Sequence, residues 1–161
     1  MTNKTIAETA VISALALALG YAETLIALPF PIPGIRLGLS NLAILFALYR
    51  LNAKNAWQVM FLKVTLSSLL ISGMQSFWFS ACGGIFSLFI MAVLKKKNFF
   101  SIIGISAAGG IFHNIGQLFA ASAVMKTFSA FFYLPPLLIS GIITGALIGA
   151  VCKLLLRYIP L

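Results

Sequence analysis

Acidic residues are almost absent from this chain of 161 residues, which holds only Glu8 and Glu23 against 11 lysines and arginines. Two carboxylates cannot build the paired aspartate-rich sites that hold Mg²⁺ for phosphoryl or prenyl transfer. Cysteine and histidine are also scarce, since Cys82 and Cys152 lie in different apolar segments and His113 is the single histidine. A closed zinc site is therefore excluded, and we expect two buried free thiols, no metal and no cofactor.

Charged residues make up 8% of the chain and hydrophobic residues 61%. A soluble domain carries roughly 25% charged residues, so the composition indicates an integral membrane protein. Because a spanning helix needs about 20 apolar residues, the chain predicts an all-α polytopic membrane protein of about six transmembrane helices, forming a single transmembrane domain over 1–161. The expected segments are about 5–28, 37–49, 56–72, 76–94, 101–125 and 134–156.

The distribution of the cations predicts the topology. With six spans and both termini cytoplasmic, the outer side holds only Arg36 and Lys126, and Lys63 falls within a span. The cytoplasmic side then holds Lys4, Arg50, Lys54, Lys95, Lys96, Lys97, Lys153 and Arg157. This asymmetry follows the positive-inside rule and predicts a multi-pass protein of the cell membrane. No nucleic-acid partner is expected, because the cations are split between short loops without a basic soluble module.

Two stripes of small residues repeat every fourth position, which places each stripe on one helix face and allows another helix to approach closely. The spacing fits either packing within the bundle or a docking face for a partner membrane protein, and it does not separate the two. The stripes are Ala10, Ala14 and Ala18 in the first segment, and Gly141, Gly145 and Gly149 in the sixth.

Polar side chains within the predicted spans are candidates for ligand contact. Lys63 lies about eight residues into the third segment, where it either snorkels to the interface or faces a cavity. His113, Asn114 and Gln117 lie close together on the fifth segment, because residues three or four apart share a helix face. Polar groups in hydrocarbon need partners, so this cluster forms either an interhelical hydrogen-bond network or part of a ligand pocket.

The first outer loop is the third candidate region. Three prolines and a glycine break the helix there and give a possible lid with defined hinges. Arg36 either pairs with Glu23 to hold the loop or binds an anionic group arriving from outside, with Asn41 and Gln75 on the same side. The loop or gate residues are Glu23, Pro31, Pro33 and Gly34.

Two motifs carry a family resemblance over nearly the whole chain. The run Pro29-x-Pro31-x-Pro33-Gly34-Ile35-Arg36-Leu37-Gly38-Leu39-Ser40-Asn41, together with His113-Asn114-Ile115-Gly116-Gln117, resembles the heptaprenyl diphosphate synthase component I family, also called the Gx transporter family. Gly83-Gly84, Leu134-Pro135 and Thr144-Gly145 match in the expected order.

The family is similar to the substrate-binding S components of energy-coupling factor (ECF) transporters, which are six-helix membrane proteins. The resemblance implies that Ala10, Ala14 and Ala18 dock a transmembrane coupling subunit that works with ATPases. It also implies an outward-opening pocket under the first loop. Its implied liners are Arg36, Asn41, Gln75, His113, Asn114 and Gln117, and the residues themselves add Lys63 to this ligand-binding set.

The sequence therefore predicts a non-catalytic transporter subunit that captures a small molecule, with an anionic or polar head, from the outer side. The chain has no Gly-x-x-x-x-Gly-Lys-Ser/Thr phosphate loop, so energy for uptake would come from partner subunits. The alternative is a non-catalytic membrane subunit or anchor for heptaprenyl diphosphate synthesis or flavin-based extracellular electron transfer. An intramembrane enzyme is the weakest hypothesis, because no nucleophile–base pair is evident.

Overall fold

The chain folds as a bundle of α-helices in the computed structural model, which describes residues 3–25 and 37–159, apart from the side chain of Gln75. The described residues form six α-helices and contain no strand. The helices are α1 (Asn3–Leu25), α2 (Leu39–Arg50), α3 (Ala53–Ser67), α4 (Gly73–Lys96), α5 (Ile102–Met125) and α6 (Leu134–Tyr158). A π-helical turn, Ser68–Ser72, joins α3 to α4, and a 3₁₀ segment, Phe128–Tyr133, precedes α6. The predicted all-α membrane bundle of six helices is confirmed.

Local sequence signals explain where several helices begin. The Asn52 side chain accepts a hydrogen bond from Asn55 N at 2.9 Å and caps α3, and the Ser101 hydroxyl accepts one from Gly104 N at 3.2 Å and caps α5. Both are residue types that favour the N-cap position. Proline lies in the first turn of α6, where its missing N–H is not needed. Gly73, at a φ of 77°, allows α4 to start directly after the π turn.

Contacts between helix ends show that neighbouring helices alternate in direction. The carboxylate of Glu23 near the end of α1 accepts hydrogen bonds at the start of α2, and Thr9 near the start of α1 contacts Asn55 near the start of α3. Lys95 at the end of α4 donates to the Leu48 carbonyl at the end of α2. We call the end where α1 begins and α6 ends the basic end, because it holds all eight cations that the sequence assigns to the cytoplasmic side.

Four of the helices are long and apolar enough to cross a membrane, and α2 is a shorter apolar helix. The lipid-facing surface is rich in outward-facing leucine, isoleucine and phenylalanine, as expected where the solvent is hydrocarbon. The buried interior is formed mainly by α2 and α3, with Leu45, Leu48, Val59 and Met60 almost fully enclosed. The length and composition of these helices therefore indicate a membrane-spanning helical bundle.

Helices α4, α5 and α6 form a closely packed layer in which glycines allow the backbones to touch. A Cβ atom at Gly145 would lie 2.7 Å from the carbonyl oxygen of Ser106, and one at Gly116 would lie 2.6 Å from that of Cys82. The glycine stripe of α6 is buried against α5. This stripe serves packing within the bundle, which is one of the two alternatives that its spacing allows.

Candidate functional site

A small polar cavity lies between α2, α4, α5 and α6. Its volume is about 30 Å³. The lining combines four glycines, several aliphatic side chains and four polar side chains, those of Asn41, Ser87, Ser106 and Thr144. The full lining is Leu37, Gly38, Asn41, Leu45, Ser87, Met91, Ser106, Gly109, Gly110, Thr144, Gly145 and Ile148.

Two of the hydroxyl groups in the cavity have no hydrogen-bond partner among the described residues. As whole residues Ser87 and Ser106 are each 4% exposed, and polar groups of buried residues normally bond to a protein group or an ordered water. Thr144 differs, because its hydroxyl donates to the Ser140 carbonyl at 2.9 Å within α6. The cavity therefore presents polar capacity that the described protein does not itself use.

Glu23 organises the start of α2 beside this cavity. Its two carboxylate oxygens accept hydrogen bonds from Gly38 N at 2.7 Å and Leu39 N at 3.1 Å. These amides belong to the first turn of α2, where backbone donors have no intrahelical partner and the helix dipole favours a negative charge. Gly38 takes a φ of 75°, a left-handed conformation that suits glycine. The acid assigned to the loop thus holds the N-terminus of α2.

The polar cluster of α5 lies at the helix interfaces and does not line this cavity. Gln117 Nε2 is 3.1 Å from His113 Nε2, one turn away on the same helix, and both side chains pack against α4 at Gly83. Asn114 faces the other side, where its amide donates to the Leu137 carbonyl of α6 at 2.6 Å. Together the cluster contacts α4 and α6, and its predicted role in ligand binding stays a prediction.

The remaining predicted ligand-binding residues separate into three groups. Asn41 lines the cavity, whereas Lys63 lies half-buried on α3 outside its lining. Gln75 lies in the first turn of α4, but its side chain is outside the described part of the chain. Arg36 and the loop residues Pro31, Pro33 and Gly34 also lie outside the described residues. Their predicted roles stay predictions.

The serines were missed by sequence reasoning because nothing distinguishes them in the chain. Ser87, Ser106 and Thr144 come from three different helices, and small hydroxyl residues are common where helices pack closely. The available signal is that Ser87, Ser106 and Thr144 each lie within four residues of a glycine. That signal marks close packing as readily as a cavity.

The alanine stripe of α1 faces outward along its whole length. Ala10, Ala14 and Ala18 are all exposed, whereas the buried face of the same helix is formed by Thr9, Ile12, Ser13 and Ala16. An apolar groove of about 620 Å³ runs beside the stripe between α1 and α3. Its lining is Ile6, Thr9, Ala10, Trp57, Gln58, Phe61 and Leu62.

No group of three or more histidine, cysteine, aspartate or glutamate side chains that could hold a metal ion occurs within residues 3–25 and 37–159. In that part of the chain Cys152 is buried, as expected, and Cys82 is only half-buried.

Comparison with known proteins identifies the family of this chain. Residues 12–155 match the family described as heptaprenyl diphosphate synthase component I, which confirms the resemblance seen in the two motifs. No curated protein and no solved structure matches the chain significantly. The match covers α2 to α5 completely and most of α1 and α6, and it includes the cavity and two of the three alanines of the stripe.

Proposed function

We propose that this chain, which belongs to the heptaprenyl diphosphate synthase component I family, is a non-catalytic, substrate-binding membrane subunit similar to the S components of ECF transporters. It captures a small molecule from the outer side of the cell membrane, and partner subunits supply the energy for uptake. In this orientation the basic end faces the cytoplasm, in agreement with the positive-inside rule.

The observation that carries this proposal is the polar cavity between α2, α4, α5 and α6. Ser87 and Ser106 lie on different helices and both line this cavity, and a hydroxyl that is buried without any partner costs about 1–3 kcal/mol. Concave sites with a few placed polar groups are the usual form of small-molecule sites, and in bundles they lie between helices. A ligand that bonds to these hydroxyls recovers the cost.

The outward-facing alanine stripe supports the docking part of the proposal. Ala10, Ala14 and Ala18 leave a smooth face on α1, on which a helix of another membrane protein can pack closely. The glycine stripe of α6 has the same spacing, but α5 already covers it. A transmembrane coupling subunit associated with ATPases is the partner that the S-component similarity suggests for α1.

The second candidate function rests on the family's description, which names a component of heptaprenyl diphosphate synthase. In that case the chain is a non-catalytic membrane partner of a prenyltransferase, and the α1 face binds that enzyme or its membrane anchor. The hydroxyls of the cavity would then be satisfied by ordered water alone.

The test of the proposed function is to purify the chain in mild detergent and to identify retained small molecules by mass spectrometry. We expect wild type and Ser13→Ala to retain the same molecule, because Ser13 is buried outside the cavity and its hydroxyl donates to the Thr9 carbonyl at 2.8 Å. The double variant Ser87→Ala/Ser106→Ala should retain at least fivefold less.

Absence of any retained molecule from wild type, with no thermal shift on adding vitamins, flavins or isoprenoids, would contradict the proposal. Affinity purification from the native membrane distinguishes the two candidate functions. Coupling subunits with ATPases should co-purify with an S component, whereas a prenyltransferase should co-purify with a synthase subunit.

A further inference from the structure

The polar side chains that the described residues contribute to the cavity are all uncharged, and this limits what the cavity can bind. Among the described residues the lining contains hydroxyls, one carboxamide and backbone groups, but no ionisable side chain. The hydroxyls of Ser87 and Ser106 and the carboxamide of Asn41 make no hydrogen bond to any described residue. Each hydroxyl can donate one bond and accept two, and the carboxamide can do both. The lining therefore suits a ligand group that also donates and accepts.

A negative charge already lies next to the cavity. The carboxylate of Glu23 bonds to Gly38 N and Leu39 N, and Gly38 itself lines the cavity. This carboxylate occupies the amides at the N-terminus of α2 that would otherwise favour an anion. A second anion in the cavity would be repelled by Glu23 and would lose its hydration without a cation in the described lining to replace it.

The size of the cavity sets the second limit. Its volume is about 30 Å³, and each water-sized occupant needs about 10–15 Å³ on the same measure. The cavity is open on one side, so it holds only the terminal two or three heavy atoms of a longer molecule, such as a hydroxymethyl, a ketone or a carboxamide, while the rest of that molecule extends beyond it. A phosphate or diphosphate group is too large as well as too charged.

We infer that this cavity is the subsite for a neutral, oxygen-bearing end of the transported molecule, a hydroxyl, carbonyl or carboxamide, and that it rejects carboxylates and phosphates. The inference rests on the proposed function and deepens it, because it names the chemical class of the ligand group that this cavity accepts. An anionic head, as the sequence predicts from Arg36, Lys63 and His113, would belong to a different part of the ligand.

Cysteine labelling tests this inference without knowledge of the natural ligand. Ser87→Cys and Ser106→Cys are introduced separately into the full chain carrying Cys82→Ala and Cys152→Ala. Each purified variant is treated with 2-hydroxyethyl methanethiosulfonate, which is neutral, or 2-carboxyethyl methanethiosulfonate, which is anionic and of similar size. The thiolate attacks the thiosulfonate sulfur, a mixed disulfide forms and methanesulfinate leaves. Because each labelled chain gains a known mass, mass spectrometry of samples taken over time gives the labelling rate.

Two further cysteines act as controls. Phe128→Cys reports the intrinsic rates of the two reagents, because Phe128 is 83% exposed. Ser13→Cys reports a buried position outside the cavity and should resist both reagents. After normalisation to Phe128→Cys, we expect the neutral reagent to label both cavity cysteines at least tenfold faster than the anionic reagent.

The outcomes separate the inference from the proposed function. Equal or faster labelling by the anionic reagent at Ser87→Cys and Ser106→Cys overturns the neutral subsite and leaves a binding pocket in place. Protection of both positions from both reagents shows a sealed cavity, which overturns the pocket and the proposed function together. Because the two cysteines lie on different helices, a folding failure of one variant leaves the other to decide.

Discussion

Glu23 shows how a scarce residue type acquires a specific structural role. Because the chain has only two acids, the sequence indicates that Glu23 pairs with a positive group on its own side of the membrane. Arg36 is the predicted partner. The structure gives it two backbone partners at the start of α2. The backbone amides at the start of a helix carry partial positive charge, so they stabilise the Glu23 carboxylate as a cation would. Pairing with Arg36 stays a prediction.

Replacing Glu23 should destabilise the start of α2. Glu23→Ala removes both hydrogen bonds to a charged acceptor, each of which is worth about 1.5–3 kcal/mol, so we expect a loss of about 2–4 kcal/mol in the free energy of unfolding. Glu23→Gln keeps one acceptor oxygen and should lose less. Thermal unfolding in detergent measures both.

Glu8→Gln is the matched control for this experiment, because it removes the other acid at the opposite end of α1. It should leave the unfolding temperature unchanged. Equal effects of Glu8→Gln and Glu23→Gln would mean that net charge, rather than the contact with α2, sets the stability.

Asn114 makes a second prediction at the scale of single residues. Its amide donates to the Leu137 carbonyl at 2.6 Å and ties α5 to α6. Interhelical hydrogen bonds in membranes contribute on average about 0.6 kcal/mol and at most about 1.7. Asn114→Ala should therefore lower the free energy of unfolding by about 0.5–1.5 kcal/mol, and Asn114→Asp by at least as much, because an aspartate side chain cannot donate when ionised.

Retention of the small molecule separates a structural from a binding role for Asn114. In the structure its side chain contacts α6 and not the cavity, so Asn114→Ala should bind the ligand as wild type does once it is folded. Loss of ligand without loss of stability would support the ligand-binding role that the sequence predicts for Asn114.

The two small-residue stripes show what an element's sequence leaves undecided. Both repeat every fourth residue, yet the α1 stripe faces outward and the α6 stripe is covered by α5. Spacing fixes which residues share a face, but it does not fix which neighbour covers that face. In α1, the polar residues Thr9 and Ser13 face inward because each hydroxyl donates to the carbonyl one turn earlier and needs no lipid-exposed partner.

Leucine substitutions on the two stripes should have opposite effects. Ala14→Leu adds bulk to an exposed position, so the chain should fold with an unchanged unfolding temperature but co-purify at least tenfold less of its partner subunit. Gly145→Leu places a side chain where a Cβ would already lie 2.8 Å from the Ala107 Cα. It should separate α5 from α6 and prevent recovery of a monodisperse protein from detergent.

Size-exclusion chromatography and quantitative co-purification compare these variants. Undiminished partner recovery with Ala14→Leu would show that the outward face of α1 contacts lipid only. A well-folded Gly145→Leu protein would show that the α5–α6 contact can open without cost.

At the scale of the whole molecule, apolar runs predict the bundle well and the cavity poorly. The predicted segments 76–94, 101–125 and 134–156 differ from α4, α5 and α6 by at most three residues at either end, because prolines, a lysine run and capping residues mark their limits. The start of α2 was also close, since Gly38 breaks the chain there. The junction of α3 and α4 was not foreseen, because a π turn leaves no loop signal.

The cavity escaped prediction for a physical reason. It forms where four helices fail to fill the space between them, and its polar groups come from residues up to 103 positions apart in the chain, Asn41 and Thr144. Sequence reasoning favours large and charged side chains such as Lys63 and His113, since their burial is costly. A serine in a helix gives no such signal in the sequence. It is recognised only in the structure, where its hydroxyl lacks a hydrogen-bond partner among the described residues.

The topology makes a prediction for intact cells. Phe99 and Phe128 are both highly exposed and lie in connections at opposite ends of the bundle. In a chain carrying Cys82→Ala and Cys152→Ala, a membrane-impermeant thiol reagent should label Phe128→Cys in whole cells. It should label Phe99→Cys, next to the lysine run, only after permeabilisation. The reverse pattern would place the basic end and both termini outside.

The shortness of α2 has a consequence for how the chain is made. Its 12 residues cover about 18 Å, well short of the roughly 30 Å hydrocarbon layer, so it cannot enter the bilayer as an independent span. Glu23 holds its start, but Lys95, which holds its end by donating to the Leu48 carbonyl at 2.6 Å, is synthesised 47 residues later. During synthesis, α2 is therefore stably inserted in the membrane only after the α3–α4 hairpin has been made.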